Sequence, residues 1–488
     1  MPTPEQEFPL DWVDRFIGEI KSFVFLREYD ELLILVPNQS YKLNRSGMKL
    51  MRALLDGRTL DQALGGRQPP PHVRRDLFQF FTGIVAMVKG CLGEGRGRPE
   101  VEAIPYRRPY IKLPIISEVA LTYRCNLACR FCYAGQHRDG DTAIQMTTAE
   151  VKRVLQIIRH EAQVPSVSFT GGEPTLRDDL PELVAEGVRL GLRVNLISNG
   201  LRLTPALVAA LVAAGLDSAQ ISLEGPEAAI HDGLTGVPGS FAATVAAVQA
   251  CLAAGLPVHT NTTLTGFNVA AADRLPALAR SLGLDRFSMN MVIPAAWMRE
   301  AQPGLLLTYR EIGPTVLRVK AVARDLGIRF MWYSPTPYCL FNPIAHNLGN
   351  KGCAACDGLL SVDPRGRVIP CSSFFEPQGS LLEQPFTEVW HSVSATRLRE
   401  KQEAPAACRT CGHFDLCEGA CPLYWRAMGC AELAPVAPAA EPESATDVNF
   451  GNTRPISENL VLGPRNSSRE SQGGNHGSCE DGSRCPRR

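Results

Sequence analysis

Three cysteines lie close together in LTYRCNLACRFCYAG, residues 121–135, at Cys125, Cys129 and Cys132. Thiolates are preferred ligands of iron–sulfur clusters and of zinc. Three of them at the spacing C-x3-C-x2-C can hold three irons of a [4Fe-4S] cube and leave the fourth iron open for a substrate or cofactor. The alternative is a zinc site that borrows a fourth ligand such as His137.

A second group of cysteines crowds the later part of the chain. Cys356, Gly366 and Cys371 satisfy C-x9-G-x4-C. A further run satisfies C-x2-C-x5-C-x3-C and is followed by one more cysteine: Cys408, Cys411, Cys417, Cys421 and then Cys430. A zinc ribbon held by CRTCGHFDLCEGAC is the alternative to iron–sulfur ligation here. Cys91 and Cys251 fit helical apolar faces and are predicted to be buried small hydrophobes.

Strand and helix patterns alternate from residue 116 to about residue 333. The predicted strands are SEVALTY, PSVSFTG, LRVNLIS, SAQISLE, PVHTNTTL and DRFSMNMVI, and helical apolar spacing fills the segments between them. Repeated βα units predict an α/β fold with a parallel sheet covered by helices. The three-cysteine motif follows the first strand, so it falls at the carboxyl end of the sheet, where such folds bind ligands.

Small and polar residues follow the later strands. FTGGEP after the second strand contains Gly171, Gly172, Glu173 and Pro174. Glycines let a backbone approach closely, and a carboxylate beside exposed carbonyls suits an ammonium group. LISNG and ISLEG then place Asn199 and Ser222 at the ends of the third and fourth strands, and Ser222 is either structural or a hydrogen-bonding group for a cofactor.

Residues 20–92 read as a separate small α+β unit. FVFLREYD and ELLILVPNQSYKL are predicted as strands around a turn, and Asn44 is a candidate cap for a helix through RSGMKLMRALLDG. TLDQAL and VRRDLFQFFTGIVAMVKG are predicted helices, and GEGRGRPEVEAIPYRRP has the composition of a linker. A domain boundary is therefore expected near residues 95–110.

The cysteine loop resembles the signature of the radical S-adenosylmethionine (radical SAM) superfamily, C-x3-C-x-φ-C, in which φ is an aromatic residue, here Phe131, with Tyr133 close by. The resemblance implies a partial (βα)6 TIM-like barrel. It implies that Cys125, Cys129 and Cys132 hold a [4Fe-4S] cluster whose open iron binds S-adenosyl-L-methionine (AdoMet). GGEP would contact the methionine amino group, and an aromatic residue near the cluster would pack against adenine. Reductive cleavage of AdoMet would then yield a 5'-deoxyadenosyl radical that abstracts a substrate hydrogen.

The late cysteine array resembles a SPASM domain, the C-terminal extension of many peptide-modifying members of that superfamily. Members usually bind two auxiliary [4Fe-4S] clusters. Transferred by position, the first cluster would use Cys356, Cys371, Cys421 and an upstream cysteine, for which Cys353 is preferred and Cys339 competes. The second would use Cys408, Cys411, Cys417 and Cys430. Cys430 follows Cys421 more closely than in many relatives.

The N-terminal unit resembles PqqD-like domains, also called RiPP recognition elements. These fold as a small winged helix and bind a leader peptide as an added strand. A packing domain without a peptide ligand is the alternative. The expected organisation is a segment at 1–19, the PqqD-like domain at 20–93, a linker at 94–112, the radical SAM core at 113–335, the SPASM domain at 336–432 and a disordered tail at 433–488.

Composition limits the class of partner. Lys+Arg and Asp+Glu number 50 each, so the formal net charge of +0 favours neither nucleic acid nor anionic lipid as a partner. We expect no membrane span and no secretory signal, because no apolar run approaches the required length and the N-terminus lacks a basic, apolar start. These features predict a cytoplasmic protein, in which sixteen cysteines favour metal ligation over disulfides.

Together these features predict a maturase that acts on a precursor peptide or protein, forming a crosslink or oxidising a side chain, with a donor such as flavodoxin or ferredoxin supplying electrons. Two alternatives stay open. One is a small-molecule radical SAM enzyme such as a tetrapyrrole side-chain decarboxylase. The other is a non-catalytic metal-binding scaffold.

Overall fold

A computed structural model describes residues 7–37, 39–88, 111–134, 144–294 and 303–434, all of which belong to one compact unit. The strands are β1 Val24–Arg27, β2 Leu32–Leu35, β3 Gln39–Lys42, β4 Ile116–Ala120, β5 Ser166–Thr170, β6 Arg193–Ser198, β7 Ser218–Ser222, β8 Val258–Leu264, β9 Arg286–Met291, β10 Arg329–Trp332, β11 Leu359–Val362, β12 Arg367–Ile369 and β13 Gly379–Ser380. The α-helices are α1 Val13–Ile20, α2 Arg45–Leu55, α3 Leu60–Ala63, α4 Pro71–Val88, α5 Thr148–Gln156, α6 Leu180–Arg189, α7 Pro205–Ala213, α8 Ala228–Thr235, α9 Ser240–Ala253, α10 Leu275–Ser281, α11 Tyr309–Asp325, α12 Phe386–Trp390, α13 Val393–Arg399, α14 Ala406–Arg409, α15 Phe414–Cys417 and α16 Pro422–Met428.

The N-terminal unit is an antiparallel sheet in the order β1-β2-β3, packed on helices α1, α2 and α4 around Val13, Leu33 and Phe81. Asn44 caps α2 as predicted, since its Oδ1 accepts from the backbone N–H of Gly47 at 2.7 Å. The prediction of one strand over ELLILVPNQSYKL was wrong. The segment forms β2 and β3 as a hairpin, because a proline at position 37 has no N–H for a ladder hydrogen bond and interrupts the strand.

A ten-stranded sheet forms the centre of the molecule, in the order β10-β9-β8-β7-β6-β5-β4-β11-β12-β13. The six strands predicted from the sequence are β4 to β9, and they run parallel to their neighbours. Two parallel strands that were not predicted, β10 and β11, extend the sheet at either side. The α/β prediction with a parallel sheet is therefore confirmed, and the sheet is larger than expected.

The two faces of this sheet differ in polarity. Side chains such as Val119, Phe169 and Leu196 are fully buried in the core between the strands and the helices. The alternate positions on the strands carry polar side chains that are linked across strands. Asn195 Nδ2 donates to Ser168 Oγ at 3.2 Å. A further set on β8 and β9 is described below. The helix-covered face thus stabilises the fold, and the other face is left for polar ligands.

Two arginine contacts hold the N-terminal unit against the amino end of the sheet. Arg27 is fully buried with Asp30, with Nε to Oδ1 at 2.8 Å and Nη2 to Oδ2 at 2.9 Å. The same guanidinium donates to the carbonyl oxygens of Pro114 and Leu113 just before β4. Arg159 lies over the ring of Phe25 on β1, 4.8 Å from its centroid. The N-terminal unit therefore contacts the end of the sheet at which the strands begin, opposite to their carboxyl ends.

Residues after 336 also join the central sheet. β11 pairs with β4 in parallel, with Glu118 opposite Ser361. The indole N–H of Trp390 donates to the carbonyl oxygen of Lys112 at 3.0 Å. The strand that leads into the first cysteine loop is thus bonded directly to the region of the late cysteines.

No single helix in the described ranges is both long and apolar enough to cross a membrane, although α8 and α9 together, bent by 103°, pass the same test of length and composition. Cys91, His137, Cys479 and Cys485 lie outside the described residues, as does the predicted tail from residue 435 onward and most of the predicted linker.

Arg27→Met should lower the free energy of unfolding by about 3–5 kcal/mol, because the substitution leaves the Asp30 carboxylate buried without its partner. Denaturant unfolding of wild type and variant measures the difference. Arg15→Met is the matched control within the same unit, since its pair with Glu19 is exposed, and it should change little. Equal losses in the two variants would contradict a special contribution from the buried pair.

Candidate functional site

The first cysteine loop lies at the carboxyl end of β4 and is held from one side by helix α8. The backbone N–H groups of Ala128 and Arg130 donate to the carbonyl oxygens of Thr235 and Leu234, at 2.8 and 2.9 Å. α8 ends at Gly236 with φ of +72°, where a methyl group would lie 2.9 Å from the carbonyl oxygen of Ala128. The end of α8 therefore provides a backbone surface against which the loop between Cys125 and Cys132 is placed.

The GGEP segment holds the loop from the other side by backbone contact. The N–H of Gly172 donates to the carbonyl oxygen of Thr122 at 2.7 Å, and that of Glu173 donates to Arg124 at 2.9 Å. A methyl group at Gly171 would lie 2.2 Å from the Thr122 oxygen, and one at Gly172 would lie 2.3 Å from the Arg124 oxygen. No side chain fits at either position, so the glycines are required by the close approach of the two segments.

Glu173 is fully buried, and its carboxylate connects its own turn after β5 to the turn after β6. It accepts from the Thr175 N–H and hydroxyl at 3.0 and 2.5 Å, from Ser198 Oγ at 2.8 Å and from the Asn199 N–H at 2.8 Å. Burial raises its pKa, and the four donors oppose that shift. All of these donors belong to the protein, so the side chain of Glu173 acts by positioning the turn after β6.

Asn199 links the turn after β6 to the cysteine loop. Its side-chain amide donates to Asn126 Oδ1 at 2.7 Å and lies 3.8 Å from Cys125 Sγ. The backbone N–H of Leu127 also donates to Cys125 Sγ, at 3.4 Å. N–H donors at a sulfur stabilise the thiolate that a cluster requires. Cys125 Sγ thus has one donor in its own loop and another in the turn after β6.

Aromatic side chains surround the cysteine loop. The ring of Phe375 lies 5.8 Å from Tyr123 and 6.3 Å from Tyr133, between ring centroids. Tyr133 hydrogen-bonds to Thr170 and Ser372, and burial raises its pKa. Phe131 is half-buried. Phe375 from the late region therefore packs beside the first cysteine loop, a contact that sequence reasoning missed.

Glu118 on β4 is a second carboxylate that the sequence did not reveal. One of its oxygens, Oε1, accepts from Ser361 Oγ at 2.6 Å, from the Ser372 N–H at 3.1 Å and from the Ser372 hydroxyl. Ser372 follows Cys371, so this carboxylate connects the strand before the first cysteine loop to a late cysteine. The signal available in the sequence was a charged residue, Glu118, at an alternate position of the predicted strand SEVALTY.

The polar face continues across β7, β8 and β9. Asn261 Nδ2 donates to Asn290 Oδ1 at 2.7 Å, and Ser288 Oγ donates to Asn261 Oδ1 at 2.8 Å. Ser222, opposite Asn261 in the ladder, is half-buried at the end of β7. Just beyond it, burial raises the pKa of Glu224 to about 8, while the Thr263 N–H donates to this carboxylate at 2.8 Å. A carboxyl group near this pKa can exchange a proton at neutral pH.

His231 serves a structural purpose. Its Nδ1 accepts from the backbone N–H of Glu224 at 3.0 Å, and burial lowers its pKa to about 4. The imidazole is therefore neutral near pH 7 and holds the turn after β7. Cys251 is fully buried in α9 within the apolar core, which confirms that prediction.

The late cysteines fall into two groups. The first contains Cys353, Cys356, Cys371 and Cys421. Burial raises the pKa of Cys421 to about 12, and the thiol of Cys353 adds to the shift. Burial and then Cys353 and Cys421 raise the pKa of Cys371, and Cys353 also raises that of Cys356. Cys353 is therefore the upstream cysteine that lies with this group, as preferred over Cys339.

The second group contains Cys408, Cys411, Cys417 and Cys430, together with Cys339. Burial raises the pKa of Cys408 to about 11, and the neighbouring thiols of Cys417, Cys339, Cys411 and Cys430 add to it in that order. None of the cysteines in the described ranges forms a disulfide. By their electrostatic neighbours the late cysteines thus fall into the two sets that the family resemblance implied, with Cys339 as a fifth thiol beside the second set.

A buried cation lies between the two groups. Lys401 Nζ pairs with Asp357 Oδ2 at 2.7 Å and with Glu418 Oε2 at 2.9 Å, and it donates to the carbonyl oxygen of Cys353. Burial opposes the charge on Lys401, but the two carboxylates raise its pKa overall. Asp357 follows Cys356 and Glu418 follows Cys417, so one ammonium group joins the loops of both cysteine groups.

The donor chemistry fits iron–sulfur clusters. Each of the three sets consists of thiols, and backbone N–H groups donate to the sulfurs of Cys125 and Cys417. Within the described part of the chain, no three His, Cys, Asp or Glu side chains form a site for a single metal ion. The ligands of a cluster bind separate irons.

Comparisons with known proteins agree with this chemistry. The model of the radical SAM superfamily matches residues 119–282, which contain the first cysteine loop and the glycine segment. The chain belongs to the radical SAM superfamily. A second family model, described as SPASM, an iron-sulfur cluster-binding domain, matches residues 353–412. This radical SAM enzyme therefore binds [4Fe-4S] clusters and AdoMet.

Curated relatives of the enzyme carry two different names. The AdoMet-dependent heme synthase of Methanosarcina barkeri is 29% identical over 321 residues, which is 63% of this chain and 91% of that protein. The PqqA peptide cyclase of Ruegeria pomeroyi is 30% identical over 322 residues, which is 64% of this chain and 83% of that protein. Both relatives therefore match about the same share of the enzyme.

Solved structures share the fold. Streptococcus suis SuiB bound to its precursor peptide SuiA superposes with a TM-score of 0.60 at 15% identity, covering 82% of this chain and 95% of that chain. SuiB bound to S-adenosylmethionine gives a TM-score of 0.59 at 17% identity, with 82% and 97% covered. anSMEcpe with bound AdoMet gives 0.53 at 15% identity, with 64% of this chain and 91% of that chain covered.

Gly172→Ala should weaken AdoMet binding about tenfold or more, because the added methyl must displace the backbone at Arg124 and overpacking costs about 1–3 kcal/mol. Binding titration of the anaerobically reconstituted enzyme measures the effect. Gly18→Ala is the control, since a methyl group there meets no atom within 4 Å. Unchanged affinity in Gly172→Ala would show that the two backbone segments can separate without consequence.

Lys401→Met should lower the free energy of unfolding by about 3–5 kcal/mol, because it leaves two buried carboxylates without their cation. Chemical denaturation under anaerobic conditions provides the measurement. Lys152→Met is the matched control, since that lysine pairs with the exposed Glu182 on the surface of the sheet's helices. If both variants unfold alike, the cation between the cysteine groups is not a structural requirement.

Proposed function

We propose that this radical SAM enzyme is a maturase that modifies a precursor peptide or protein, by forming a crosslink or oxidising a side chain. The observation that carries the proposal is the N-terminal three-stranded unit docked on the sheet by Arg27 and Asp30. Its outer strand β3 forms hydrogen bonds to β2 along one edge only within the described residues, and its side chains are half-buried or exposed. Such an edge can accept an extended peptide as a further strand.

The comparisons support this assignment. The SuiB match covers 82% of the chain, a larger share than residues 111–434 can supply, whereas the anSMEcpe match covers 64%. A protein that was solved with its precursor peptide therefore shares more of this chain's architecture. The PqqA peptide cyclase relative has a peptide substrate in its name. We assign the N-terminal unit, residues 20–93, as a PqqD-like winged-helix domain and residues 113–335 as a partial (βα)6 barrel.

The placement of the N-terminal unit constrains the substrate. This unit contacts the amino end of the sheet, and the cysteine loop lies at the carboxyl end. A five-residue strand such as β5 spans about 17 Å. A peptide held at β3 must therefore cross at least this distance, which takes five or more extended residues, before its modified residue reaches the first cysteine loop. The tether would raise the local concentration of that residue at the site.

At the site, we assign Cys125, Cys129 and Cys132 to the AdoMet-binding [4Fe-4S] cluster. When bound, the cluster and AdoMet supply a 5'-deoxyadenosyl radical that removes a hydrogen atom from the substrate. The backbone of Gly171, Gly172 and the turn before Pro174 would receive the methionine amino group. Further contacts would come from Asn199 and Ser222, with Phe131 and Tyr133 supplying apolar surface that excludes water.

Two auxiliary [4Fe-4S] clusters complete the proposal, in a SPASM domain at residues 336–432. The first would use Cys353, Cys356, Cys371 and Cys421. The second would use Cys408, Cys411 and Cys417 with a fourth thiolate, which the family resemblance gives to Cys430. Glu224 is the buried carboxylate placed to hold or accept a substrate proton. We further propose a cytoplasmic location and reduction by a flavodoxin or ferredoxin.

A small-molecule reaction is the second candidate. The AdoMet-dependent heme synthase relatives match the same region at nearly the same identity as the peptide cyclase, which favours a tetrapyrrole side-chain decarboxylase. The two can be separated by supplying reduced enzyme and AdoMet with either a candidate precursor peptide, such as any small peptide encoded beside the gene, or a tetrapyrrole with carboxylate side chains. Substrate-dependent 5'-deoxyadenosine and a mass change in the peptide support the maturase, whereas the same signals from the tetrapyrrole support the alternative. A reconstituted enzyme that never cleaves AdoMet would be a non-catalytic scaffold.

The triple variant Cys125→Ala, Cys129→Ala and Cys132→Ala should lose about four of about twelve irons per chain and all AdoMet cleavage, because each [4Fe-4S] cluster holds four irons. Iron and sulfide analysis after anaerobic purification measures the loss. Cys251→Ala removes a buried cysteine outside all three groups and should keep the full count. An unchanged iron content in the triple variant would refute the assignment of the first loop.

A further inference from the structure

Five thiols surround the second auxiliary site, although a cube offers only four irons for protein ligands. Cys408 and Cys417 are buried, and Cys339, Cys411 and Cys430 are exposed. Cys339 lies 69 positions before Cys408 in the chain, in the connection between β10 and the late cysteines. Its presence beside this group comes from the tertiary structure alone.

The loop that carries Cys339 is anchored on a ligand sulfur. The backbone N–H of Tyr338 donates to Cys417 Sγ at 3.3 Å. The N–H groups of Leu340 and Phe341 both donate to the carbonyl oxygen of Pro337 at 2.9 Å, which closes a tight turn around Cys339. The side chain of Phe341 is buried in the main core. A rigid turn thus holds Cys339 directly after Tyr338, whose backbone N–H is hydrogen-bonded to Cys417 Sγ.

Side-chain contacts of Tyr338 and Phe341 fix the position of this turn. The Tyr338 hydroxyl donates to Asn350 Oδ1 at 2.6 Å. Phe341 stacks on His346 with centroids 5.3 Å apart and packs against Gly313 of α11, where a methyl group would lie 3.0 Å from its ring. The turn is therefore fixed from both sides, so Cys339 does not depend on a mobile loop to reach the second group.

The electrostatic neighbours of Cys408 include Cys339. Burial raises the pKa of Cys408 most, and the thiols of Cys417, Cys339, Cys411 and Cys430 add to the shift. The Tyr338 N–H that donates to Cys417 Sγ places the adjacent Cys339 beside this group. Burial and then Cys417 and Cys411 likewise raise the pKa of Cys339.

Cys430 is placed by a different constraint. Helix α16 begins directly after Cys421, a member of the first group, and ends at Met428. Seven helical residues span about 10 Å. Beyond Cys430, Glu432 accepts from the backbone N–H groups of Tyr309 and Arg310, at 3.3 and 3.1 Å. These contacts tie the segment to the start of α11.

We propose that Cys339 supplies the fourth thiolate of the second auxiliary cluster, together with Cys408, Cys411 and Cys417, in the place that the family resemblance gives to Cys430. The inference rests on the second cluster of the proposed function. On ligation the Cys339 thiol releases its proton to solvent and forms one iron–sulfur bond. The cluster would then tie the connection after β10 to the late cysteine loops.

The test compares Cys339→Ala with its matched control Cys430→Ala in the full-length, anaerobically reconstituted enzyme. Wild type should contain about twelve irons. Cys339→Ala should lose between about one and four irons, with loss of the second auxiliary cluster from the electron paramagnetic resonance spectrum of the reduced enzyme. Cys430→Ala should retain both. An unchanged iron content and spectrum in Cys339→Ala overturns the proposal.

Alkylation of wild-type enzyme gives an independent readout that does not depend on folding of a variant. Iodoacetamide should label Cys430 in the reconstituted enzyme and label Cys339 only after the clusters are removed, as mapped by mass spectrometry. Labelling of Cys339 in the reconstituted enzyme would contradict its ligation.

The triple variant Cys408→Ala, Cys411→Ala and Cys417→Ala separates this inference from the proposed function. It should lose about four irons. A full iron count in that variant would mean that no second auxiliary cluster exists, which is a failure of the proposed function and not of the choice between the two cysteines.

Discussion

The buried carboxylate of Glu173 is the interaction on which the rest of the site depends. A charged group without solvent contact is costly unless hydrogen bonds satisfy it, and here four donors do so. Its partners come from the turn after β5 and the turn after β6, and its own backbone N–H holds Arg124. The side chain and the backbone of this one residue together therefore fix the relative position of three segments. Asn199 hydrogen-bonds to the cysteine loop at Cys125 and Asn126, so the loop that must present three thiolates has a defined geometry.

The central sheet connects the first cysteine loop to the late cysteine region. β11 pairs with β4, the strand that leads into the first cysteine loop. Glu118 on β4 then accepts from Ser372, the neighbour of Cys371, and Phe375 lies beside Tyr133. The first cysteine loop and the first late group thus share a polar and aromatic boundary. A substrate on the polar face of the sheet would lie next to both.

The late cysteines are organised by charge as well as by spacing. Lys401 is buried between carboxylates that each follow a cysteine, and it places a positive charge where thiolate-bound clusters are negative. Removing such a cation from a dry interior costs more than an exposed pair contributes, because the remaining charges keep their desolvation penalty. The cation therefore joins two sets of ligands that lie far apart in the chain.

Much of the fold was predictable from local patterns. Alternating βα segments identified β4 to β9, the Asn44 cap identified the start of α2, and short cysteine spacings predicted metal ligation, because these signals involve residues that are neighbours along the chain. The hairpin of β2 and β3 was missed because a strand pattern alone does not report where pairing reverses. β10 and β11 were missed because their membership of the sheet depends on partners that are distant in sequence.

Residue types and spacing by themselves determined the kind of chemistry, since three thiolates at C-x3-C-x2-C and a glycine pair after the next strand carry their meaning in local sequence. Only the tertiary structure decided which cysteines share a group. Cys339 and Cys353 are both plausible upstream ligands by their positions in the chain. They are distinguished by the turn in which the Tyr338 N–H donates to Cys417 Sγ. The same holds for Glu224 and Lys401. Their burial and their partners arise when distant segments pack together, and no local pattern in the chain encodes that contact.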